Sequence, residues 1–168
     1  MPEADLILIV EDREDDILLM QCAFEKASIK NPVQFVRTGE DLINYLSGEG
    51  QFSGRTRFPL PALVLLDLKL PDVNGFEVLS WIRQHHRFRT LPVIVLTSWA
   101  QRDFVNLAYR LGANSFFVKD TDFQKTVALC SHLQQYWLQT PQTAPVPETS
   151  PYPCMAALED LQPSQLPL

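Results

Sequence analysis

The sequence has few cysteines, few glycines, no surplus of positive charge and no long apolar run, and each shortage excludes something. The three cysteines, Cys22, Cys130 and Cys154, are odd in number, far apart and without a C-x-x-C pair, which argues against a disulfide framework, a zinc site or a dithiol centre. Cys22 and Cys130 read as small helix residues packed inside, and Cys154 as an exposed thiol. Only six glycines are present. The turn after the first apolar run is Glu11-Asp12-Arg13 rather than glycine-rich, so a dinucleotide fold, a flavin site and a nucleotide site are all unsupported. A formal net charge of -6 and a pI near 5.0 exclude a general polyanion binder, because phosphate backbones are held by clustered Lys and Arg. No nucleic-acid partner is expected. The amino terminus lacks a basic segment followed by an apolar one, and no run approaches the ~20 apolar residues of a membrane span. A cytoplasmic protein without a membrane partner is expected.

What is present is a repeating alternation of short apolar runs and helical periodicity. Leu6–Val10 reads as a buried strand closed by Glu11 and Asp12. Asp12 is the expected cap of a helix that turns Ile17, Met20, Phe24 and Ala27 toward a sheet. Val33–Val36 is a second strand, and Thr38 opens a short helix through Leu42, Ile43 and Leu46. Ser47–Pro61, rich in Gly, Ser, Arg and Pro, reads as an exposed loop. Leu63–Leu66 is the central strand and ends at Asp67; turn formers follow from Pro71 to Gly75, then a helix with Phe76, Leu79 and Ile82 inward. Leu91–Leu96 is a fourth strand ending at Thr97. A helix marked by Phe104, Leu107, Ala108 and Leu111 stops at Gly112, placed for a left-handed terminus. Ser115–Val118 is a fifth strand ending at Lys119. Thr121 and Gln124 are spaced as a capping box for a last helix that carries Phe123, Val127, Leu133, Tyr136, Trp137 and Leu138. Residues 139–168 hold seven of the thirteen prolines and no Gly, Lys or Arg, the composition of a disordered or partner-ordered tail. Within it, 154–161 is long enough for only two helical turns.

Five βα units in succession imply right-handed crossovers and one parallel sheet, so all strand carboxyl ends meet at one edge. That edge collects Glu11, Asp12, Asp67, Thr97 and Lys119. Taken singly, each has an ordinary reading: Glu11 and Asp12 as an acidic first turn, Asp67 as a turn residue, Thr97 as a strand-end hydroxyl, Lys119 as a solvated lysine. Together they point to chemistry. Three carboxylates brought together repel unless a hard divalent cation such as Mg2+ joins them. A phosphoryl group transferred to Asp67 would find charge neutralisation from the metal and Lys119 and a donor in Thr97.

The segments Ile9–Asp12, Leu65–Gly75, Val93–Ser98 and Gly112–Lys119 resemble the receiver domain of two-component response regulators, over about residues 5 to 138. The long loop before the third strand and the Tyr136-Trp137-Leu138 ending look most like the single-domain regulators that partner bacterial, cyanobacterial-type phytochrome histidine kinases. The resemblance implies an α/β fold, a doubly wound five-stranded parallel sheet in flavodoxin-like order 2-1-3-4-5 with helices on both faces, the order shared by the chemotaxis member of the family. It implies a receiver domain over 1–138 followed by the tail 139–168. It makes Asp67 the phosphoacceptor, and Glu11, Asp12, Asp67 and the Lys69 backbone carbonyl the Mg2+ ligands. Thr97 and Lys119 then contact the phosphoryl group, and Phe116 takes the aromatic switch position. It also implies a sensor histidine kinase as donor and a downstream protein or histidine phosphotransfer protein as target. A homodimer through the fourth helix, fifth strand and fifth helix is a further implication. The protein would signal without being an enzyme.

Three positions depart from the pattern. Asp120 stands where the family has proline after the lysine, and its carboxylate is placed to compete for Lys119; Phe116 lacks the commoner tyrosine hydroxyl; Trp99 is a bulky neighbour of the switch. Because of Asp120, an interaction module that signals without phosphorylation is the competing reading. A dehalogenase-type phosphatase is disfavoured because Lys69 occupies the position of its second aspartate.

Overall fold

The structure, a computed structural model, describes residues 5–138. The tail 139–168, with Cys154 and the segment 154–161, lies outside the described residues. Five parallel strands, β1 (Ile7–Val10), β2 (Val33–Val36), β3 (Leu63–Leu66), β4 (Val93–Thr97) and β5 (Ser115–Val118), form one sheet in the order β2-β1-β3-β4-β5. Between and after them run α1 (Glu14–Lys26), α2 (Gly39–Ser47), α3 (Gly75–Gln84), α4 (Arg102–Arg110) and α5 (Phe123–Leu133), the last continuing as a π turn over Gln134–Leu138. The expected flavodoxin-like order is the one observed.

The strands are short apolar runs because the three central ones are covered on both faces: every residue of β1, β3 and β4 is buried. Alternate residues serve opposite layers. Leu8, Val10, Val64 and Leu66 pack with Leu42, Phe76, Leu79, Ile82 and Leu107 of α2, α3 and α4. Ile7, Ile9, Leu63 and Leu65 pack with Met20 and Phe24 of α1 and Cys130 and Leu133 of α5. This period-two division fixes the register, since a slip of one residue would exchange the two cores.

Several local expectations are corrected. Arg13, not Asp12, occupies the cap position of α1 and makes no side-chain cap bond; the acidic first turn Glu14-Asp15-Asp16 faces the positive helix end instead. Asp122, not Thr121, caps α5, accepting from the Gln124 N–H at 2.9 Å. Cys22 is exposed, whereas Cys130 is buried and its thiol pKa is pushed up to about 12 by burial. Thr38 does cap α2, accepting from Asp41, and Gly112 takes φ 97 just beyond α4.

The segment 47–61 is largely exposed, as expected, but it holds an element of its own. It contains a 3-10 turn, Gly50–Phe52, and Phe52 is buried. Phe52 and Phe58 meet edge to face at 5.2 Å, and each also contacts Tyr45. Arg55 donates to the Tyr45, Leu46 and Phe58 carbonyls at 2.8, 2.6 and 3.2 Å. Its guanidinium thus supplies donors to two carbonyls in the last turn of α2. Composition flagged the glycines and prolines but not the three aromatics between which they bend.

Candidate functional site

The sheet register builds the site. Val10 lies opposite Leu66, so Glu11, Asp12 and Asp67 leave neighbouring strands together. The Asp67 N–H donates to the Val10 carbonyl at 3.2 Å and the Lys119 N–H to the Thr97 carbonyl at 2.8 Å. The loop after Asp67 closes tightly: a Cβ on Gly75 would lie 2.5 Å from Leu68 Cα and 2.7 Å from the Asp67 carbonyl. Only glycine fits there, and the approach sets where α3 begins.

One carboxylate oxygen from each of Glu11, Asp12 and Asp67 lies within 4.8 Å of the others. Glu11 is 3% and Asp67 5% exposed. Lys119 Nζ donates to Asp67 Oδ2 at 2.7 Å, to Asp16 Oδ2 at 3.0 Å and to Glu11 Oε2. Burial pushes the Glu11 pKa up, against the opposing pull of Lys119. Burial works to lower the Lys119 pKa, yet Asp67 and Glu11 together carry it well above the usual lysine range. The ammonium therefore stays charged, and all three of its N–H donors are committed.

Asp67 Oδ1 accepts from the Lys69 N–H at 3.1 Å, which brings the Lys69 backbone to the site. Thr97 is fully buried, and its hydroxyl accepts from the Trp99 N–H at 3.4 Å. An open groove over the site is lined by Asp12, Asp67, Lys69, Ser98 and Lys119 among others, and Thr97 is not part of that lining. Phe116 sits lower on β5, opposite Val95, with its N–H on the Tyr109 hydroxyl at 3.1 Å. Its ring packs against the α2–α4 core, as do the rings of Trp99 and Phe104, which meet each other at 5.2 Å. Those contacts tie β5 to α4.

Asp120 behaves differently from its sequence expectation. Its carboxylate accepts from the Asp122 N–H at 2.8 Å and from Lys125 Nζ at 2.9 Å, toward the start of α5, and its ion pair is with Lys125 rather than Lys119. No peptide bond among the described residues is cis, so the chain passes from Lys119 to Asp120 in the ordinary trans form.

Sequence reasoning missed Asp16 and the role of Asp72. Asp16 lies one helical turn beyond Asp12 and one before Met20, a buried residue of α1; that i,i+4 spacing was the available signal. Asp72 accepts from the Gly39 and Glu40 N–H groups at 2.9 Å each, capping α2 from a distant turn, which no local pattern announces.

Hard oxygen donors clustered from Glu11, Asp12 and Asp67 are the set a divalent cation such as Mg2+ takes, and the surplus of negative charge over the single lysine fits one. Among the described residues no helix is long and apolar enough to cross a membrane.

Comparison with known proteins agrees with this geometry. The model of the response regulator receiver domain matches residues 7–131. The probable methanogenesis regulatory protein FilR2 of Methanothrix harundinacea is 37% identical over 134 residues, 79% of this chain and 83% of that one. Response regulator Rcp1 of Synechocystis is 31% identical over 135 residues, covering 80% of this chain and 90% of its own. Its Mn2+-bound crystal structure superposes with a TM-score of 0.74, at 84% of this chain and 99% of that one. The phosphorylated cyanobacterial phytochrome response regulator RcpA also gives 0.74, at 31% identity, 82% of this chain and 96% of that one. With its sheet order, its strand-end acids and these matches, the chain belongs to the response regulator receiver domain family.

Proposed function

We propose that the protein is a single-domain response regulator that accepts a phosphoryl group on Asp67 from a sensor histidine kinase and signals through a change in what it binds. The observation that carries this reading is the Asp67 carboxylate, almost wholly buried at the end of β3 and bridged at 2.7 Å by a lysine from β5. In the transfer, an Asp67 carboxylate oxygen attacks phosphorus as the P–N bond of the kinase phosphohistidine breaks. The imidazole leaves with the bonding pair and takes up a proton, and the product is an acyl phosphate. Glu11, Asp12 and Asp67, with the Lys69 carbonyl, are the residues that would hold Mg2+, which would neutralise charge on the transferring oxygens. Lys119 pairs with the phosphoryl group, and the Thr97 hydroxyl, whose oxygen accepts from the Trp99 N–H, donates its own hydrogen to a phosphoryl oxygen. That new bond carries the signal past Trp99 to Phe116 and α4, a packed two-state element biased by local charge.

In this reading 1–138 is the receiver domain and 139–168 a separate tail. The partners are a histidine kinase, with a phytochrome favoured by the likeness to RcpA, and a downstream protein or histidine phosphotransfer protein. Self-association uses α4, β5 and α5, where Val118 on β5 and Tyr136 in the turn that continues α5 are exposed apolar residues. The protein works in the cytoplasm and is not an enzyme. The reading without phosphorylation rests on Asp120; what speaks against it is the pairing of that carboxylate with Lys125 rather than Lys119. Incubation with Mg2+ and phosphoramidate should add the mass of one phosphoryl group. No adduct, or an adduct that persists in Asp67→Asn, would overturn the proposal.

A further inference from the structure

Lys119 has three N–H donors and three carboxylate partners, from β1, α1 and β3. An arriving phosphoryl dianion needs at least one of those donors, so one carboxylate must give way. The three are unequal. Glu11 has a side chain 4% exposed, and separating it from the ammonium would leave a buried charge without this partner. Asp67 becomes the acyl phosphate and passes its donor on to the phosphoryl group; while the dianion is arriving and Asp67 is still a carboxylate, the donor must come from one of the other two. Asp16 has a side chain 28% exposed and a second cation, Arg13, at 3.8 Å. Water and Arg13 can both take it over.

We infer that Asp16 is a positioning residue that competes with the phosphoryl group for Lys119: it holds the third donor of the resting ammonium and is the partner released when Asp67 is charged. The inference rests on the phosphoacceptor reading above and adds to it a residue of α1. The competition sets how readily an anion is taken up. Asp16 also places a negative charge within hydrogen-bonding reach of the same ammonium that the anion uses, which opposes an incoming anion directly. Asp16 lines both the groove over Asp67 and the apolar groove between α1 and α5. Its release therefore changes the wall shared by the two.

The test uses the full chain at a Mg2+ concentration saturating for every variant, with beryllofluoride binding followed by calorimetry and phosphoramidate uptake by intact mass. Asp16→Asn keeps the shape and removes the charge; it should bind beryllofluoride roughly tenfold more tightly and reach half-maximal phosphorylation at a correspondingly lower donor concentration. Asp16→Glu retains the competitor and should stay within about twofold of the wild type. Loss of a merely structural contact would weaken binding, so the sign separates the two roles. Unchanged or weaker binding in Asp16→Asn, with a wild type that binds normally, overturns the inference and leaves the phosphoacceptor reading intact. A wild type that neither binds the probe nor takes up phosphate overturns both.

Discussion

Lys119 and Arg55 are two partly buried cations, each held by three oxygens, and they do opposite things. Lys119 is held by the carboxylates of Glu11, Asp16 and Asp67; Arg55 is held by the backbone carbonyls of Tyr45, Leu46 and Phe58. Backbone carbonyls stay where the chain has placed them, so Arg55 fixes a loop to the end of α2. Carboxylates on three separate elements can exchange partners as ions come and go, so Lys119 can respond. The flexible point charge of lysine suits the second task and the planar guanidinium fork the first. What decides function is thus the replaceability of the partners, more than the burial of the charge.

The contrast is broken most sharply by removing each cation. Lys119→Met should slow phosphoryl uptake at saturating donor by about 100-fold or more, the scale of losing one preorganised charge at the reacting group. It should also cost about 3 kcal/mol of stability in metal-free buffer, because Asp67 and Glu11 are left as buried carboxylates without their cation. Mg2+ should return more stability to this variant than to the wild type in chemical denaturation. A Lys119→Met protein with wild-type uptake would place Lys119 on the same footing as Arg55.

Arg55→Ala should cost about 2–3 kcal/mol, from the Leu46 and Phe58 carbonyls left without this donor, with no dependence on Mg2+ and no change in phosphorylation. A Mg2+-dependent loss would contradict the division between the two regions. Arg83 is a third cation of the fixed kind, donating to the Gly112 and Leu91 carbonyls at 2.9 and 2.7 Å. Gly112→Ala would force a Cβ to within 2.9 Å of Arg83 Nε at φ 97, and should cost about 1–2 kcal/mol in denaturant melts while leaving uptake unchanged.

The smallest effect concerns pH. Desolvation raises the Asp72 pKa, but the N–H groups of Glu40, Gly39 and Val73 outweigh it and hold the carboxyl below its ordinary value of 3.8. A depressed folded-state pKa gives stability that is complete above 3.8 and lost as pH falls through the folded value. Asp72→Asn should therefore cost about 0.5–1 kcal/mol at neutral pH, modest because solvent reaches the group, and progressively less in acid. A difference that grows on acidification would show that Asp72 is not the cap.

The elements that were legible in the sequence are those whose signal is local. Leu63–Leu66 announces a strand buried on both faces, and the βα alternation brings Glu11, Asp12 and Asp67 to one edge without any knowledge of side-chain positions. Contacts closed by tertiary structure were not legible. Arg55 reaches back to α2, Asp72 caps a helix 33 residues earlier in the chain, and Asp16 meets a lysine 103 residues away. Cap positions failed for a related reason: Asp12 and Thr121 have suitable side chains, but each belongs to the strand-end turn, and the helix starts a residue or two later.

Whether the buried carboxylate facing Lys119 accepts the phosphoryl group is decided by treating the Mg2+-loaded protein with phosphoramidate, reducing the acyl phosphate with borohydride and mapping peptides by mass spectrometry. Reduction converts a phosphorylated aspartate to homoserine, which is expected at position 67 and at no other aspartate. Homoserine at Asp12, Asp16 or Asp120 instead, or no reduced residue at all, would show that Asp67 is not the acceptor.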